Sequence, residues 1–425
     1  MSNKSSEAGL VVLCVLLALA ASGCSRRVQT RQTGQPEAIR VSGIEVDAAE
    51  PAIASAADGT VYVVWVGHHP DGGADVMLDQ FDSAGKSKGP AVRINPQTGA
   101  ATAWRGDPPT VAVAFDGTVY VGWTIKVAAQ SHATDLYLSV SRDKGQSFEL
   151  PVKVNDDQKP GAHGMHSLAI AADGSVYVSW LDERNIPPVS PGQAKTHQHM
   201  EANRELFVAY SRDSGKTFSV NRRIASDVCP CCKTSLAISP DARIYASWRQ
   251  VLPGDLRHIA VASSSDRGQT FSAPVIVSDD RWTIAGCPVS GSGLSVSKDG
   301  MLEVLWYAAG ELGPTGVYRS ESHDGGQTFT PRQLMAEGLA QGMPVLLPYL
   351  NGSRAIWQSD QGARARVVTA YLDARGLIKT RDSMEGNGEL PAASVFRDQI
   401  QVAYVRSAEK DRRSVWLLRK SATPN

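Results

Sequence analysis

Residues 57–65 read ADGTVYVVW, and the phrase returns as FDGTVYVGW at 115–123 and as ADGSVYVSW at 172–180. In each copy an Asp-Gly pair precedes an alternating Val/Tyr/Trp run, and an apolar run comes before it. That is the pattern of a β-hairpin, because Asp-Gly accepts the positive φ that a two-residue hairpin turn demands. Weaker copies follow: PDARIYASW (240–248), KDGMLEVLW (298–306), LNGSRAIWQ (350–358) and FRDQIQVAY (396–404). The fourth and seventh lack the turn glycine. The aromatic anchors Trp65, Trp123, Trp180, Trp248, Trp306, Trp357 and Tyr404 are spaced 58, 57, 68, 58, 51 and 47 residues apart. One repeating unit therefore fills the chain, in place of several unlike domains.

A second phrase lies downstream of four of the hairpins: SRDKGQSF (141–148), SRDSGKTF (211–218), SSDRGQTF (264–271) and SHDGGQTF (322–329). Extended runs follow it, such as LPVKVN at 150–155 and APVIVS at 273–278. Each unit thus reads as strand A, Asp-Gly turn, strand B, loop, strand C, Ser-x-Asp-x-Gly turn, strand D. Four antiparallel strands repeated about an axis make a β-propeller.

The Ser-x-Asp-x-Gly-x-Thr-Phe phrase resembles the Asp-box of BNR repeats, which occur in sialidases and many other propellers. Degenerate copies stand at FDSAGK (81–86) and LDARGL (372–377). The repeat count predicts an all-β, seven-bladed propeller of four-stranded blades over 39–420, with a short tail at 421–425. Sialidases have six blades, so a six-bladed ring is the alternative. The last unit lacks its own strand D. The segment PEAIRVSG at 36–43 matches GPAVRIN at 89–95, and is expected to close the ring by pairing beside the final strand C, which removes two exposed edges.

Lys+Arg and Asp+Glu are both 43, so there is no basic excess to neutralise phosphates and a nucleic-acid partner is not expected. The apolar run Leu10–Ala21 is too short to span a bilayer and reads as the core of a signal peptide over 1–23. Ala21-Ser22-Gly23-Cys24 resembles a bacterial lipobox, which implies lipidation of Cys24. Ser25 in place of an Asp favours the outer membrane by the same resemblance. Residues 24–38 are polar and read as a tether. A monomer, touching the membrane only through its lipid, is expected in the cell envelope.

Strand order assigns the faces. The A–B turns share one face with the Asp-boxes, which reads as structural; the D–A and B–C loops share the other. That loop face carries the individual residues: Trp104-Arg105-Gly106-Asp107, GAHGMH at 161–166, CPCC at 229–232, WTIAGC at 282–287, His68-His69, Lys126, Asp182, Arg184, Arg249 and Tyr307. A long B–C insertion in the third unit, about 183–204, accounts for the 68-residue spacing and is placed as a lid over the mouth.

Leaving out Cys14 and Cys24, four cysteines remain: Cys229, Cys231, Cys232 and Cys287. Aligned on the first Leu of strand A, Cys229 and Cys287 occupy matching positions, as do Cys231 and His163. The four cysteines with His163 and His166 are therefore expected at one rim. An even cysteine count outside the cytoplasm favours disulfides. The same set is a candidate thiolate or Cys/His site for zinc or copper, and a reactive redox thiol is a third reading.

Resemblance to exo-α-sialidases implies a glycosidase that grips a carboxylate with three arginines, since a guanidinium fork matches it bidentately. By their place on the loop face, Arg105, Arg184 and Arg249 fill that role, Asp107 or Asp182 the acid, and Tyr307 the nucleophile. The Arg-Ile-Pro signature of that family is absent: the first strand reads Ile39-Arg40-Val41-Ser42. The CPCC, Trp-x-x-x-Gly-Cys-Pro and Asp-box segments together resemble bacterial sialidase-like proteins. The two other expectations are a non-catalytic propeller that binds a glycan or protein through Trp104, Trp282 and loop-face arginines, and a metal- or redox-handling protein built on the CPCC loop.

Overall fold

The alternating runs fold as antiparallel strands, and their order follows the repeat. The first unit comprises β2 (Asp47–Ser55), β3 (Val61–His68), β4 (Ala74–Phe81) and β5 (Val92–Arg93). The second comprises β6 (Thr110–Val113), β7 (Val119–Lys126), β8 (Thr134–Ser141) and β9 (Val152–Lys153). β10 (His163–Ile170), β11 (Val176–Asp182), β12 (Arg204–Ser211) and β13 (Arg222–Val228) form the third; β14 (Ser235–Ile238), β15 (Ile244–Leu252), β16 (Leu256–Ser264) and β17 (Val275–Ile276) the fourth. The fifth holds β18 (Ser292–Val296) to β21 (Gln333–Glu337), and the sixth β22 (Val345–Tyr349) to β25 (Ile378–Ser383). β26 (Glu389–Phe396), β27 (Gln399–Ser407) and β28 (Arg413–Ser421) end the chain.

This computed structural model describes residues 38–102, 106–127, 132–186, 203–284, 286, 288–340, 342–361, 364–384, 387–407 and 412–421. The expected signal peptide, Cys24, most of the tether, Trp104, Arg105, Cys287 and most of the third-unit insertion lie outside the described residues. The strands fall within the unit Pro36–Asn425.

The ladders make five four-stranded sheets and one of eight strands. In the larger sheet, β10–β13 and β14–β17 are linked by one pair, Val228 with Gln250. Each unit's first strand touches the next: β2 meets β6, β6 meets β10, and so on through β14, β18, β22 and β26, which returns to β2. The segment expected to complete the last sheet does so. β1 (Ile39–Arg40) pairs antiparallel with β28, Ile39 opposite Leu417 and Arg40 opposite Trp416.

The core lies between neighbouring sheets. Trp180, Trp248 and Trp306 are fully buried, and their indole N–H groups donate to Asp182, Gln250 and Asp280. Burying an indole without such a partner would leave a donor unpaired. The repeated tryptophans are core anchors.

The Asp-boxes are turns of one design. Ser141 Oγ donates to Asp143 Oδ1 at 2.7 Å and accepts from the Gly145 amide at 2.7 Å. Asp143 also accepts from the amide and hydroxyl of Ser147. The same bonds recur around Asp213, Asp266 and Asp324. Gly145 has φ +83°, and a Cβ there would sit 3.1 Å from the Tyr62 ring and 3.0 Å from Gln80. The glycine thus serves both the left-handed backbone and the close approach. The degenerate copies keep part of the pattern: Asp82 accepts from the amides of Ala84 and Lys86, and Asp373 from those of Arg375 and Leu377.

Candidate functional site

Three ionisable side chains from different units meet at the loop-face ends of the inner strands. Asp107 precedes β6, His166 lies in β10, and Lys233 precedes β14. Asp107 Oδ1 accepts from the Met165 amide at 2.9 Å, and stands 3.8 Å from His166 Nδ1 and 3.9 Å from Lys233 Nζ. Lys233 Nζ donates to the Pro108 carbonyl at 2.5 Å. His166 and Lys233 are buried, and the Asp107 side chain is 6% exposed.

β10 is shaped to make this meeting possible. Its pairing with β11 slips between Gly164 and Ser167, and Met165 takes φ +52°. A β-bulge of this kind redirects side chains. Gly164 also permits the approach of Asp107, whose Oδ2 would lie 2.6 Å from a Cβ there.

Burial dominates the electrostatics. It raises the Asp107 pKa against the attraction of Lys233. It lowers the Lys233 pKa to about 8, with Asp107 opposing. It drives His166 well below its ordinary value, reinforced by the Lys233 charge, so the imidazole is neutral. At 3.9 Å the Asp107–Lys233 attraction only partly offsets desolvation, and both charged forms are held at a cost. Shifts of this origin, clustered in one place, mark groups suited to proton transfer or ligand contact.

A small recess lies beside the group, lined among others by Thr102, Asp107, Trp123, Thr124 and His166. Neither His166 ring nitrogen has a hydrogen-bond partner, nor do the hydroxyls of Thr102 and Thr110. Buried polar atoms without partners are uncommon; four of them lie at this spot, and others, such as both ring nitrogens of His258, lie elsewhere in the molecule.

A second group stands one unit along. Asp182 is fully buried, accepting from the Trp180 indole and from Arg184 Nε and Nη2. Arg184 also pairs with Asp156 at 2.7 Å and lies over the Phe207 ring at 4.2 Å. His163 Nε2 lies 3.1 Å from Asp157 and 3.4 Å from Asp182. Burial opposes the charged imidazole, but these carboxylates outweigh it and raise the His163 pKa.

The remaining expected residues are placed differently from an open three-arginine grip. Arg249 is fully buried; Nε and Nη2 donate to the Ser290 carbonyl, Nη2 also to the Tyr307 carbonyl, and the guanidinium lies 4.7 Å over the Trp282 ring. Trp282 is buried edge-on against Tyr307, with ring centroids 5.5 Å apart. Burial raises the Tyr307 pKa, which disfavours a phenolate nucleophile. Arg184 is committed to its own acids. His68 pairs with Glu50 at 2.6 Å and His69 with Asp75 at 3.1 Å.

The expected cysteine rim is met in part: three cysteines gather, and a bridge from them to Cys287 falls outside the described residues. Cys229, Cys231 and Cys232 are buried thiols joined by no disulfide to one another, the nearest sulfurs being 3.3 Å apart. His163 and His166 do not join them: the close group is Cys229, Cys231 and Cys232 alone among the described residues. The alignment on Leu168 and Leu236 treats β10 as regular, and its bulge turns His163 toward Asp157 and Asp182.

Lys233 and Arg257 were missed by sequence reasoning. Lys233 directly follows CPCC, but a lysine in a polar loop reads as solvated by default. Arg257 alternates within a strand and carries no motif.

A family model for BNR repeat-like domains matches residues 59–423. No curated protein matches the chain. Among solved structures, an ulvanlyase from a new family of polysaccharide lyases superposes with TM-score 0.58 at 13% identity, covering 92% of this chain and 100% of its own. A Hadza microbial sialidase gives TM-score 0.52 at 13% identity, covering 82% and 73%. The Penicillium chrysogenum α-L-arabinanase gives 0.51 at 13%, covering 74% and 92%. At these identities the likeness is one of fold.

Proposed function

Because the chain belongs to the family of BNR repeat-like domains, we propose that it is a seven-bladed propeller that recognises a glycan at its loop face, over Asp107, His166 and Lys233. The closed succession of inner strands from β2 to β26 supports seven blades, the eight-stranded sheet being two blades linked at Val228 and Gln250. Lipidation at Cys24 would hold it in the cell envelope, at the outer membrane, as a monomer.

The observation that carries the reading is the gathering of unpartnered polar atoms on His166, Thr102 and Thr110 next to a buried Asp107–Lys233 pair. These atoms are buried beside a recess the size of a water, so a sugar at the mouth would engage the imidazole and threonine hydroxyls through a water that donates and accepts at once. The likeness to a lyase, a sialidase and an arabinanase supports the glycan class and no single substrate. Exo-sialidase chemistry is disfavoured, because Arg184 and Arg249 are engaged by Asp182, Asp156 and backbone carbonyls. If bond cleavage accompanies binding, Asp107 and Lys233 are the groups placed to move the proton.

The test is calorimetric titration of the soluble chain with sialosides, uronate polysaccharides and arabinans, in parallel with Lys233→Met. Saturable binding to one of them, weakened at least about 10-fold (about 1.4 kcal/mol) in the variant, is the expected result. Identical binding by both proteins would remove the cluster from the site.

A further inference from the structure

The turn between β13 and β14 holds Cys229, Cys231 and Cys232, each buried. Cys229 Sγ lies 3.3 Å from Cys232 Sγ and 3.8 Å from Cys231 Sγ, and all three sulfurs lie within 4.8 Å of one another. A tetrahedral ion with metal–sulfur bonds of about 2.3 Å sets its sulfurs about 3.8 Å apart. A disulfide needs about 2.05 Å. The spacings fit sulfurs arranged about a common centre. Cys229-Pro230-Cys231-Cys232 also has the Cys-x-x-Cys spacing that puts two sulfurs on one side of a turn, and the Cys229 amide fixes that turn by donating to the Arg249 carbonyl at 2.9 Å.

A second observation points to an anionic ligand set. Arg257 Nη1 reaches Cys229 Sγ at 3.3 Å, while its Nη2 is held by Asp255 at 2.7 Å. The guanidinium already has Asp255 as its partner and still turns Nη1 to the Cys229 sulfur, the contact that a thiolate draws more strongly than a thiol. Three thiolates beside the Arg257–Asp255 pair carry a net charge of roughly −3, which a divalent ion lowers to about −1 and a monovalent ion to about −2.

We propose that Cys229, Cys231 and Cys232 form a metal–thiolate site for a thiophilic d10 cation, zinc or copper(I), with Arg257 as the outer partner that orients the Cys229 sulfur. Thiolate ligands select such ions. Binding displaces the thiol protons to solvent. This site is separate from the glycan reading, and its test does not depend on any glycan.

The full chain is purified under reducing, oxygen-free conditions, and its metal content is read by native mass spectrometry and elemental analysis. The metal-stripped chain is then titrated with Co²⁺, followed by thiolate-to-cobalt charge-transfer absorption. One equivalent of zinc or copper(I) per chain is expected, lost in Cys232→Ser, with the cobalt band lost as well. Arg257→Gln should keep the stoichiometry and weaken affinity about 10- to 100-fold. X-ray absorption on the wild-type chain keeps the question decidable if the serine variant does not fold: sulfur scatterers at about 2.3 Å support the site. Metal surrounded only by nitrogen and oxygen, no bound metal, a Cys229–Cys232 disulfide in the native chain, or metal retained by a folded Cys232→Ser chain would overturn it.

Discussion

Tyr62 of the first unit donates its phenol to the Lys144 carbonyl, 82 residues on, inside the Asp-box of the second unit. The contact recurs around the ring. The Tyr177 phenol donates to the Arg267 carbonyl of the fourth unit's box. The glycines Gly215 and Gly326 lie against the Tyr120 and Tyr245 rings in the same way. The Asp-box is therefore a clasp onto the preceding unit's hairpin tyrosine as well as a local turn.

That clasp makes its glycine costly to replace. Gly145→Ala combines a left-handed φ of +83° with contacts near 3 Å, so a loss of about 1–3 kcal/mol is expected in urea unfolding. Tyr62→Phe, which removes only the hydroxyl, should cost about 0.5–1.5 kcal/mol. A larger loss for Tyr62→Phe than for Gly145→Ala would contradict the clasp.

Acid should loosen the same turns. The Asp143 carboxyl is pulled down to about 2 by the Ser147 hydroxyl and amide. Asp213, where burial opposes the bonds from Thr217 and Ser211, and Asp266, bonded chiefly by Thr270, are likewise lowered to about 2. A depressed carboxylate contributes stability that is present above its unfolded pKa, about 3.9, and lost as pH falls through the folded value. Melting temperature should therefore drop between about pH 4 and pH 2, and drop less in Asp143→Asn. An equally steep drop in both proteins would place the acid sensitivity elsewhere.

Lys233 should leave its mark at alkaline pH. Its folded pKa of about 8 lies below the ordinary 10.5, so the unfolded chain binds more protons between these values. Stability from this residue should rise as pH climbs from about 8 toward 10.5. Lys233→Met should abolish that rise. Unfolding curves at pH 7 and pH 10 check it, and an undiminished rise in the variant would mean that Lys233 is not the group responsible.

Arg249 is expected to matter for folding. Truncation to Ala removes its bonds to the carbonyls of Ser290 and Tyr307 and its packing on Trp282, leaving buried acceptors unpaired at a cost of about 1–3 kcal/mol each. Glycan affinity at temperatures where the variant stays folded should change little. A loss of binding in a stable Arg249→Ala chain would return this residue to the site.

The hairpins, the Asp-boxes and the closing strand Ile39–Arg40 were legible because each depends on local chemistry: turn dihedrals, alternation, and an edge left open by a missing strand. The site was only partly so. Asp107 stood out in its loop, but its partners depend on how distant units meet, and on the bulge between Gly164 and Ser167 that no motif announces. The same bulge separated His163 from the cysteines it matches in sequence position. The tyrosine of the Val-Tyr-Val run looked like a strand residue alone, since its partner lies a whole unit away.

The most direct measurement is the dissociation constant of the soluble chain for its best glycan, compared between the wild type and Asp107→Asn at pH 7. Asparagine keeps the acceptor for the Met165 amide but loses the charge beside Lys233. A drop in affinity of at least about 10-fold is expected at a temperature where both proteins are folded, with a lowered unfolding midpoint because Lys233 loses its partner charge. No binding to any sialoside, uronate polysaccharide or arabinan, or equal affinity in both proteins, would contradict glycan recognition over Asp107, His166 and Lys233.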